Sequence, residues 1–266
     1  MRTYYYSDPL HDDFAGTDIR TKPLKKKYRY IHTGALWRFA EAFLYRLVAQ
    51  PLAFLYLKLH FGQRFADRHC LRKAGGSGLY IYANHTNALL DAFCPNIARP
   101  SRRTHIIAGP DTMSIPGIGN LVEMLGVIPL GSTSDQKLAM EKCVFGRAAQ
   151  GRNIVVYPEA HIWPYYTGVR PFPAASFRFP ARDGLPVYAM TNCYRARRFA
   201  KRPRVETYLD GPFYADKSLS ERENRVYLRD LCYNAMVKRA EEHSDCEYCR
   251  YVRKDAEDES EDRENG

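Results

Sequence analysis

Two hydrophobic patterns divide the chain. Between residues 34 and 65, apolar residues recur at roughly helical spacing with charged residues among them. The longest stretch without a charge, residues 47–57, has eleven residues and contains Pro51. A membrane-spanning helix needs about 20 apolar residues, so this pattern predicts two amphipathic helices that meet near Pro51 and lie in a membrane interface. Two helices that pack on the protein's own core are the alternative.

From residue 77 onward, short apolar runs alternate with helical patterns, which is typical of α/β proteins. Longer helices are predicted from about residue 87, capped by Thr86 or Asn87, over 134–152, capped by Ser134, and over 219–243. A short helix and a strand are predicted within 116–131. The other predicted strands cover residues 78–84, 104–110, 153–159, 185–194 and 204–213. We therefore expect an α/β fold with a mostly parallel central sheet flanked by helices, and an N-terminal amphipathic two-helix element associated with a membrane.

Composition suggests four segments along the chain. They are a basic N-terminal segment (1–33), an amphipathic helical membrane-associated element (34–70), an α/β domain (71–250) and an acidic tail (251–266). From Arg253 to Gly266 the tail carries seven acidic and three basic side chains and no aromatic residue. Such a composition predicts disorder.

The formal net charge is +10, and two basic clusters stand out at residues 20–29 and 195–204. Such clusters suit nucleic acid, anionic lipid headgroups or a polyanionic cofactor, and a solvated face is the alternative for either cluster alone. The basic run directly before the amphipathic element favours an anionic membrane surface as partner and no nucleic acid. Seven scattered cysteines do not form a disulfide pattern, and the N-terminus lacks an apolar signal core, so we expect a reducing cytoplasm.

Candidate chemistry lies where the predicted strand 78–84 ends in Asn84-His85, with Asp91 six positions beyond the histidine. In open α/β sheets, functional residues gather beyond the carboxyl ends of the strands, and Glu159 follows another strand in the same way. A neutral imidazole can take a proton from a hydroxyl near pH 7, and a carboxylate on its other nitrogen fixes the tautomer. The alternative is that His85 helps to cap the helix and Asp91 is a surface carboxylate.

Four segments in order, "NHTNALLD", "GVIPLG", "VVYPEAH" and "GLPVYAM", resemble the motif blocks of the glycerophospholipid acyltransferases, the lysophosphatidic acid acyltransferase family. The resemblance covers residues 78 to 194. It implies acyl transfer from acyl-CoA or acyl carrier protein, as co-substrate, to a lipid hydroxyl, with no metal, no other cofactor and no acyl-enzyme intermediate. It implies that His85 is the general base and that Asp91 orients it. Asn84 and Glu159 match family positions and are expected to contact the substrate, and Glu159 resembles an acceptor-binding contact.

Three departures from the family pattern bear on the acceptor. Five residues instead of the usual four separate His85 from Asp91, Ser132 stands where the second block usually ends in arginine, and the third block lacks its usual Gly-Thr-Arg continuation. Phosphate recognition favours arginine because its planar fork binds two oxygens. Arg170, Arg178 and His161 are the candidates that could replace these phosphate contacts. The alternative is that the two arginines are ordinary surface residues and that His161 is a structural histidine.

The sequence lacks a Walker-type phosphate loop and a Gly-x-Ser-x-Gly elbow. The resemblance implies an acyltransferase of phospholipid biosynthesis that acylates an acylglycerol phosphate, and we expect it at the cytoplasmic face of the cell membrane, as a peripheral or monotopic protein. The alternatives are glycerol 3-phosphate or a phosphate-free lyso-lipid as acceptor, or a non-catalytic lipid-binding relative.

Overall fold

A seven-stranded sheet forms the centre of the computed structural model, which describes residues 1–16, 22–114 and 119–254. Its strand order is β2-β8-β7-β3-β6-β4-β5. The strands are β2 (Arg64–Phe65), β3 (Leu79–Ala83), β4 (Thr104–Ala108), β5 (Val127–Pro129), β6 (Asn153–Val156), β7 (Val187–Arg197) and β8 (Ala200–Phe213). All neighbouring pairs are parallel except β7 and β8, which form an antiparallel hairpin. The expected α/β class with a mostly parallel sheet is confirmed.

Helices cover both faces of this sheet. Their bounds are α1 (Ala35–Phe43), α2 (Gln50–Tyr56), α3 (Ala88–Ala98), α4 (Gly119–Met124), α5 (Ser134–Ala149), α6 (Arg178–Asp183) and α7 (Glu221–His243). On β3, the fully buried Leu79 and Ile81 belong to the core shared with α2 and α3, whereas Tyr80 and Tyr82 belong to the core shared with α5, α6 and α7. Every residue of β3 is buried, because a central parallel strand is covered on both faces.

The N-terminal apolar segment forms one continuous helix, Ala35–Phe61, and not the two helices expected on either side of Pro51. A π-helical segment, Leu44–Ala49, separates α1 from α2, and Pro51 lies in the first turn of α2. Proline disrupts a regular helix interior, but it is tolerated where the hydrogen-bonding pattern has already changed. By length and composition alone, this helix is long enough to cross a membrane.

One stripe of the N-terminal helix packs on the domain. Ala53, Leu57 and Phe61 are buried with side chains of α3 and the sheet. The opposite stripe is exposed, including Phe39, Leu47, Leu52, Leu55 and Leu59. The element is therefore part of the fold on one side and apolar towards solvent on the other.

A second, two-stranded sheet joins the two ends of the described chain. Strand β1 (Arg2–Tyr6) pairs in parallel with β9 (Cys249–Arg253). The expected segment boundaries at residues 33 and 251 do not coincide with the ends of these strands. Each strand is too short for its alternation of apolar and polar residues to be distinctive, and only pairing with the other strand completes the sheet. The tail beyond residue 254, for which disorder was expected, lies outside the described residues.

Helix caps follow the sequence closely. Asn87 caps α3 by accepting from the backbone N–H groups of Leu89 and Leu90, as one of the two expected candidates. The expected cap of α5, Ser134, is instead the first helical residue, and Thr133 forms a capping box with Gln136. Both residue types cap helices well, so the sequence alone leaves a choice of one position.

Candidate active site

His85 and Asp91 meet at the carboxyl end of β3. His85 Nδ1 lies 2.8 Å from Asp91 Oδ2, and the two side chains are 17% and 1% exposed. Because an ionised carboxylate only accepts hydrogen bonds, Nδ1 is the nitrogen that donates. In a neutral ring this leaves the lone pair on Nε2, which has no hydrogen-bond partner within the described parts of the chain. The arrangement is suited to removing a proton from a hydroxyl.

Asp91 also folds the chain between the two residues. Its Oδ2 accepts hydrogen bonds from the backbone N–H groups of Thr86 and Asn87, both at 2.9 Å. Since Asn87 caps the helix, His85 and Thr86 remain outside α3 and the ring turns back onto the first helical turn. The five-residue spacing is therefore absorbed by a turn of three residues that precedes the helix.

Asn84 anchors this loop to the neighbouring strand. Its side-chain oxygen accepts from the backbone N–H of Asn192 at 2.9 Å, and its amide donates to the Asn192 carbonyl at 3.1 Å. The Asn192 side chain in turn donates to Asp91 Oδ1 at 3.4 Å. Asn84 is 1% exposed, so in this structure its side chain positions the loop, and its contact with the substrate stays a prediction.

Glu159 holds the same loop from the other side. Its Oε2 accepts from the His85 backbone N–H at 3.0 Å and its Oε1 from the Arg170 N–H at 3.0 Å, while the Arg170 guanidinium pairs with Oε2 at 3.3 Å. Both side chains are 1% exposed. Burial raises the pKa of Glu159, whereas Arg170 and the two backbone donors lower it. Glu159 is thus buried and supports the His85 backbone, and its contact with the acceptor stays a prediction.

Arg170 does not provide the free cation that the sequence suggested. Besides Glu159, it donates to the carbonyl of His161 and lies 5.0 Å from the centre of the Trp163 ring. The Arg170 side chain is 1% exposed, so its guanidinium does not face an open site in this structure. His161 is partly exposed, and its Nδ1 lies 3.7 Å from Asp13 Oδ2.

Arg178 lies on the other side of the sheet from the His85–Asp91 pair. It pairs with Glu141 of α5 at 2.9 Å and covers the ring of Phe179, which belongs to the core of α5, α6 and α7. The structure therefore brings together Asn84, His85, Asp91, Glu159 and Arg170, and it does not bring Arg178 to them. Sequence distance from the third block gave no information about which face α6 covers.

Aromatic residues complete the packing around the histidine. The ring of Tyr157 stacks on His85 with centroids 4.5 Å apart, and its hydroxyl donates to the Asp91 carbonyl at 2.6 Å. Burial raises the pKa of the Tyr157 phenol well above its ordinary value, so the phenol remains a donor. Tyr194 donates to the Thr86 hydroxyl at 2.8 Å.

Sequence reasoning missed Asn192, Tyr157 and Tyr194 as supports of this loop. Tyr157 directly follows a buried strand and precedes Pro158-Glu159, and that position was a usable signal. Asn192 and Tyr194 lie in a strand that carried no signal for the loop.

The turn after Glu159 has an unusual backbone. Ala160 has φ of 64°, in the left-handed region that favours glycine. The resembled family has glycine at this position, and the geometry gives the physical reason. In this chain an alanine accepts the strain so that Glu159 can reach both His85 and Arg170.

The N-terminal residues cover this third-block turn. Trp163 is buried at 1% exposure, stacks on Tyr251 of β9 and donates its indole N–H to the carbonyl of Asp12. The Ile162 N–H donates to Asp13 Oδ1 at 3.1 Å. The basic N-terminal segment thus begins with a folded part that fixes the loop next to the candidate site.

Fold and site together define an α/β protein that presents a supported histidine–carboxylate pair at the open carboxyl edge of its sheet. Residues 64–191 match the family model described as Acyltransferase. Over these residues, which make up just under half of the chain, the sequence is similar to that acyltransferase family, as the four motif segments led us to expect.

Among solved structures, the crystal structure of the 1-acyl-sn-glycerophosphate (LPA) acyltransferase, PlsC, from Thermotoga maritima is similar to this chain. The sequence identity is 16% and the TM-score is 0.44, and the match covers 76% of this chain and 93% of that chain. No curated protein matches the chain.

Proposed function

We propose that this acyltransferase moves a fatty acyl group from acyl-CoA or acyl carrier protein to the sn-2 hydroxyl of an acylglycerol phosphate in phospholipid biosynthesis. The observation that carries the proposal is the 2.8 Å contact between His85 Nδ1 and the buried Asp91. It leaves the lone pair of His85 Nε2 without a hydrogen-bond partner among the described residues, at the sheet edge where α/β proteins bind their ligands.

In the proposed reaction, His85 Nε2 takes the proton of the acceptor hydroxyl as its oxygen attacks the thioester carbonyl. Asp91 stabilises the imidazolium that forms, since its carboxylate faces Nδ1. Collapse of the tetrahedral intermediate breaks the carbon–sulfur bond, and the imidazolium returns its proton to the leaving thiolate. The products are an ester and a free thiol, and His85 regains its neutral form.

The choice of acceptor depends on where a phosphate binds. The Ser132 hydroxyl donates to the side chain of Gln136, next to the α5 cap, and Arg170 forms a buried ion pair with Glu159. This arrangement favours a phosphate-free lyso-lipid as the second candidate acceptor, with glycerol 3-phosphate as a further candidate. It is also what a non-catalytic lipid-binding relative would have. The intact histidine–aspartate pair supports an enzyme over that relative.

Purified protein incubated with radiolabelled long-chain acyl-CoA tests the proposal against a panel of acceptors. The panel contains lysophosphatidic acid, glycerol 3-phosphate, lysophospholipids and a phosphate-free lyso-lipid, and acyl carrier protein replaces coenzyme A in a parallel series. We expect product from lysophosphatidic acid that disappears in His85→Ala. Product only from the phosphate-free acceptor would overturn the acceptor assignment, and no product with either donor would overturn the enzyme mechanism.

We also propose that the N-terminal helix lies in the interface of an anionic membrane at its cytoplasmic face. Its exposed stripe includes Leu47 and Leu55, while Leu57 and Phe61 belong to the core, so the domain occupies one side of the helix. Deleting residues 20–65 would therefore remove part of the core. The sharper test is the double substitution Leu47→Ser/Leu55→Ser, which should weaken sedimentation with anionic vesicles.

The matched control is Leu138→Ser on α5, since Leu138 is 54% exposed on the other face of the sheet. It should leave vesicle binding unchanged. Equal binding by the helix variant and the unmodified protein would refute interfacial docking.

A further inference from the structure

The hairpin formed by β7 and β8 projects beyond the carboxyl edge of the sheet. The last residue of β7 in register with β3 is Met190, opposite Ala83, yet β7 continues to Arg197. At about 3.3 Å per residue, the hairpin extends roughly 20 Å past the end of β3. It therefore stands next to, and beyond, the loop that carries His85.

Charges along this hairpin change from paired to unpaired towards its tip. Near the base, Arg204 pairs with Glu206 at 3.0 Å, and Arg195 pairs with Asp245 at 3.3 Å. Closer to the turn are four cations without a carboxylate partner among the residues that the structure describes: Arg197, Arg198, Lys201 and Arg202. An uncompensated group of cations on a projection attracts a polyanionic surface.

Phe199 lies at the turn between these cations and is 90% exposed. The guanidinium of Arg198 lies 5.2 Å from the centre of its ring. A single exposed aromatic ring among cations suits a headgroup layer, where the ring enters the acyl boundary and the cations remain at the phosphates. The same combination also suits single-stranded nucleic acid, on which aromatic rings stack.

Contact with the N-terminal helix decides between these two partners. Arg197 donates to the carbonyl of His60 at 3.5 Å, and Arg202 contacts the His60 ring. One residue earlier, Leu59 is 73% exposed, and it continues the apolar stripe that includes Leu55. The cations of the hairpin thus adjoin the end of an exposed apolar surface, which a lipid bilayer covers and a nucleic acid does not.

We propose that the tip of the β7–β8 hairpin is a second membrane-docking element that binds the anionic lipid headgroups of a bilayer. Phe199 inserts into the headgroup region, and Arg197, Arg198, Lys201 and Arg202 lie at the lipid phosphates. With the N-terminal helix, the hairpin turns the carboxyl edge of the sheet towards the membrane, so a lipid acceptor reaches His85 from the bilayer. The docking itself does not depend on which acyl transfer the protein performs.

Co-sedimentation of the full chain with vesicles tests this inference. Vesicles of phosphatidylcholine alone are compared with vesicles that also contain phosphatidylglycerol. The variants are Phe199→Ala and Arg198→Gln/Lys201→Gln, which alter exposed side chains at the tip. The matched controls are Tyr214→Ala and Lys217→Gln/Arg222→Gln, whose exposed side chains follow the far end of β8. Thermal unfolding monitored by circular dichroism verifies that each variant is folded.

We expect the charge variant to lose about tenfold in binding to the anionic vesicles, with a loss that shrinks at high salt. Phe199→Ala should bind both kinds of vesicle several-fold more weakly, and the controls should bind like the unmodified chain. Binding by the hairpin variants equal to that of the controls would overturn the proposal. The proposal would also be overturned if the unmodified chain bound a single-stranded oligonucleotide more tightly than anionic vesicles and Phe199→Ala abolished the oligonucleotide binding. Either result is independent of the acyl-transfer assay.

Discussion

The chain leaving β3 and the hairpin leaving β7 both lie at the carboxyl edge of the sheet, but they use charge in opposite ways. At the end of β3, the charges of Asp91, Glu159 and Arg170 are all buried and all bonded within the fold. At the tip of the hairpin, cations such as Arg198 and Lys201 are exposed and lack carboxylate partners within the described structure. Buried pairs fix geometry, since each lost partner is costly, whereas exposed unpaired charges remain available for an external partner.

The difference also shows which arginines remain available to an external partner. Arg170 was a natural candidate for phosphate binding from its place after the third block. Its burial against Glu159 makes it a structural element of the loop that holds His85. The basic cluster at residues 195–204 was a candidate for anionic partners from its charge alone, and its tip carries cations without a carboxylate partner among the described residues.

The largest expected effect comes from breaking the His85–Asp91 pair. His85→Ala should reduce the rate of acyl transfer by about 10²–10⁴-fold, since general base catalysis typically contributes that much. Asp91→Asn should cause a severe loss as well, because an amide can donate to Nδ1 and so favour the wrong tautomer. Initial rates with saturating acceptor and thermal unfolding curves measure both effects. Near-normal turnover in a folded His85→Ala protein would exclude the proposed mechanism.

Removing Arg170 should have the largest effect on stability. Arg170→Met leaves the Glu159 carboxylate buried without its cation, which costs about 3–5 kcal/mol of unfolding free energy. The exposed Arg198→Met should change stability by less than about 0.5 kcal/mol. Urea unfolding of the two variants measures this contrast. Similar stabilities for both would show that the ion pair between Arg170 and Glu159 contributes no more to the free energy of unfolding than a surface arginine does.

The pH dependence of Arg170→Met sharpens the same contrast. Burial already raises the pKa of Glu159 with Arg170 in place, and loss of the cation should raise it further. A carboxyl whose pKa is higher in the folded state than in the unfolded chain binds more protons when folded. The free energy of unfolding therefore decreases as the pH rises. Arg170→Met should therefore lose more stability at pH 8 than at pH 5. A loss that is equal at both pH values would contradict an ionised, unpaired Glu159.

The smallest expected effect concerns Ala160. Ala160→Gly should raise the unfolding free energy by up to about 1 kcal/mol, because glycine relieves the left-handed strain but adds freedom to the unfolded chain. The control is Ala196→Gly at the hairpin, where the backbone has no positive φ, and that substitution should not stabilise. Thermal unfolding of the two variants decides the point, and destabilisation by Ala160→Gly would argue against the strained turn.

Much of the fold was accessible from hydrophobic periodicity. The buried strand at residues 78–84 and the long helices at 134–152 and 219–243 appear within a few residues of their predicted bounds. The continuity of the helix through Pro51 was not accessible, because its π-helical segments have no simple sequence pattern. The pairing of β1 with β9 was not accessible either, since the two strands lie at opposite ends of the chain.

The sequence by itself predicted the α/β class, the resemblance to acyltransferases and the His85–Asp91 pair, because periodicity and motif spacing are local properties of a chain. Only the tertiary structure decided that Asn84 and Glu159 support the loop and that Arg170 forms a buried ion pair with Glu159. Only the tertiary structure, too, placed Arg178 on the other face and the basic hairpin beside His60. The physical reason is that burial and charge pairing depend on which distant segments the sheet order brings together.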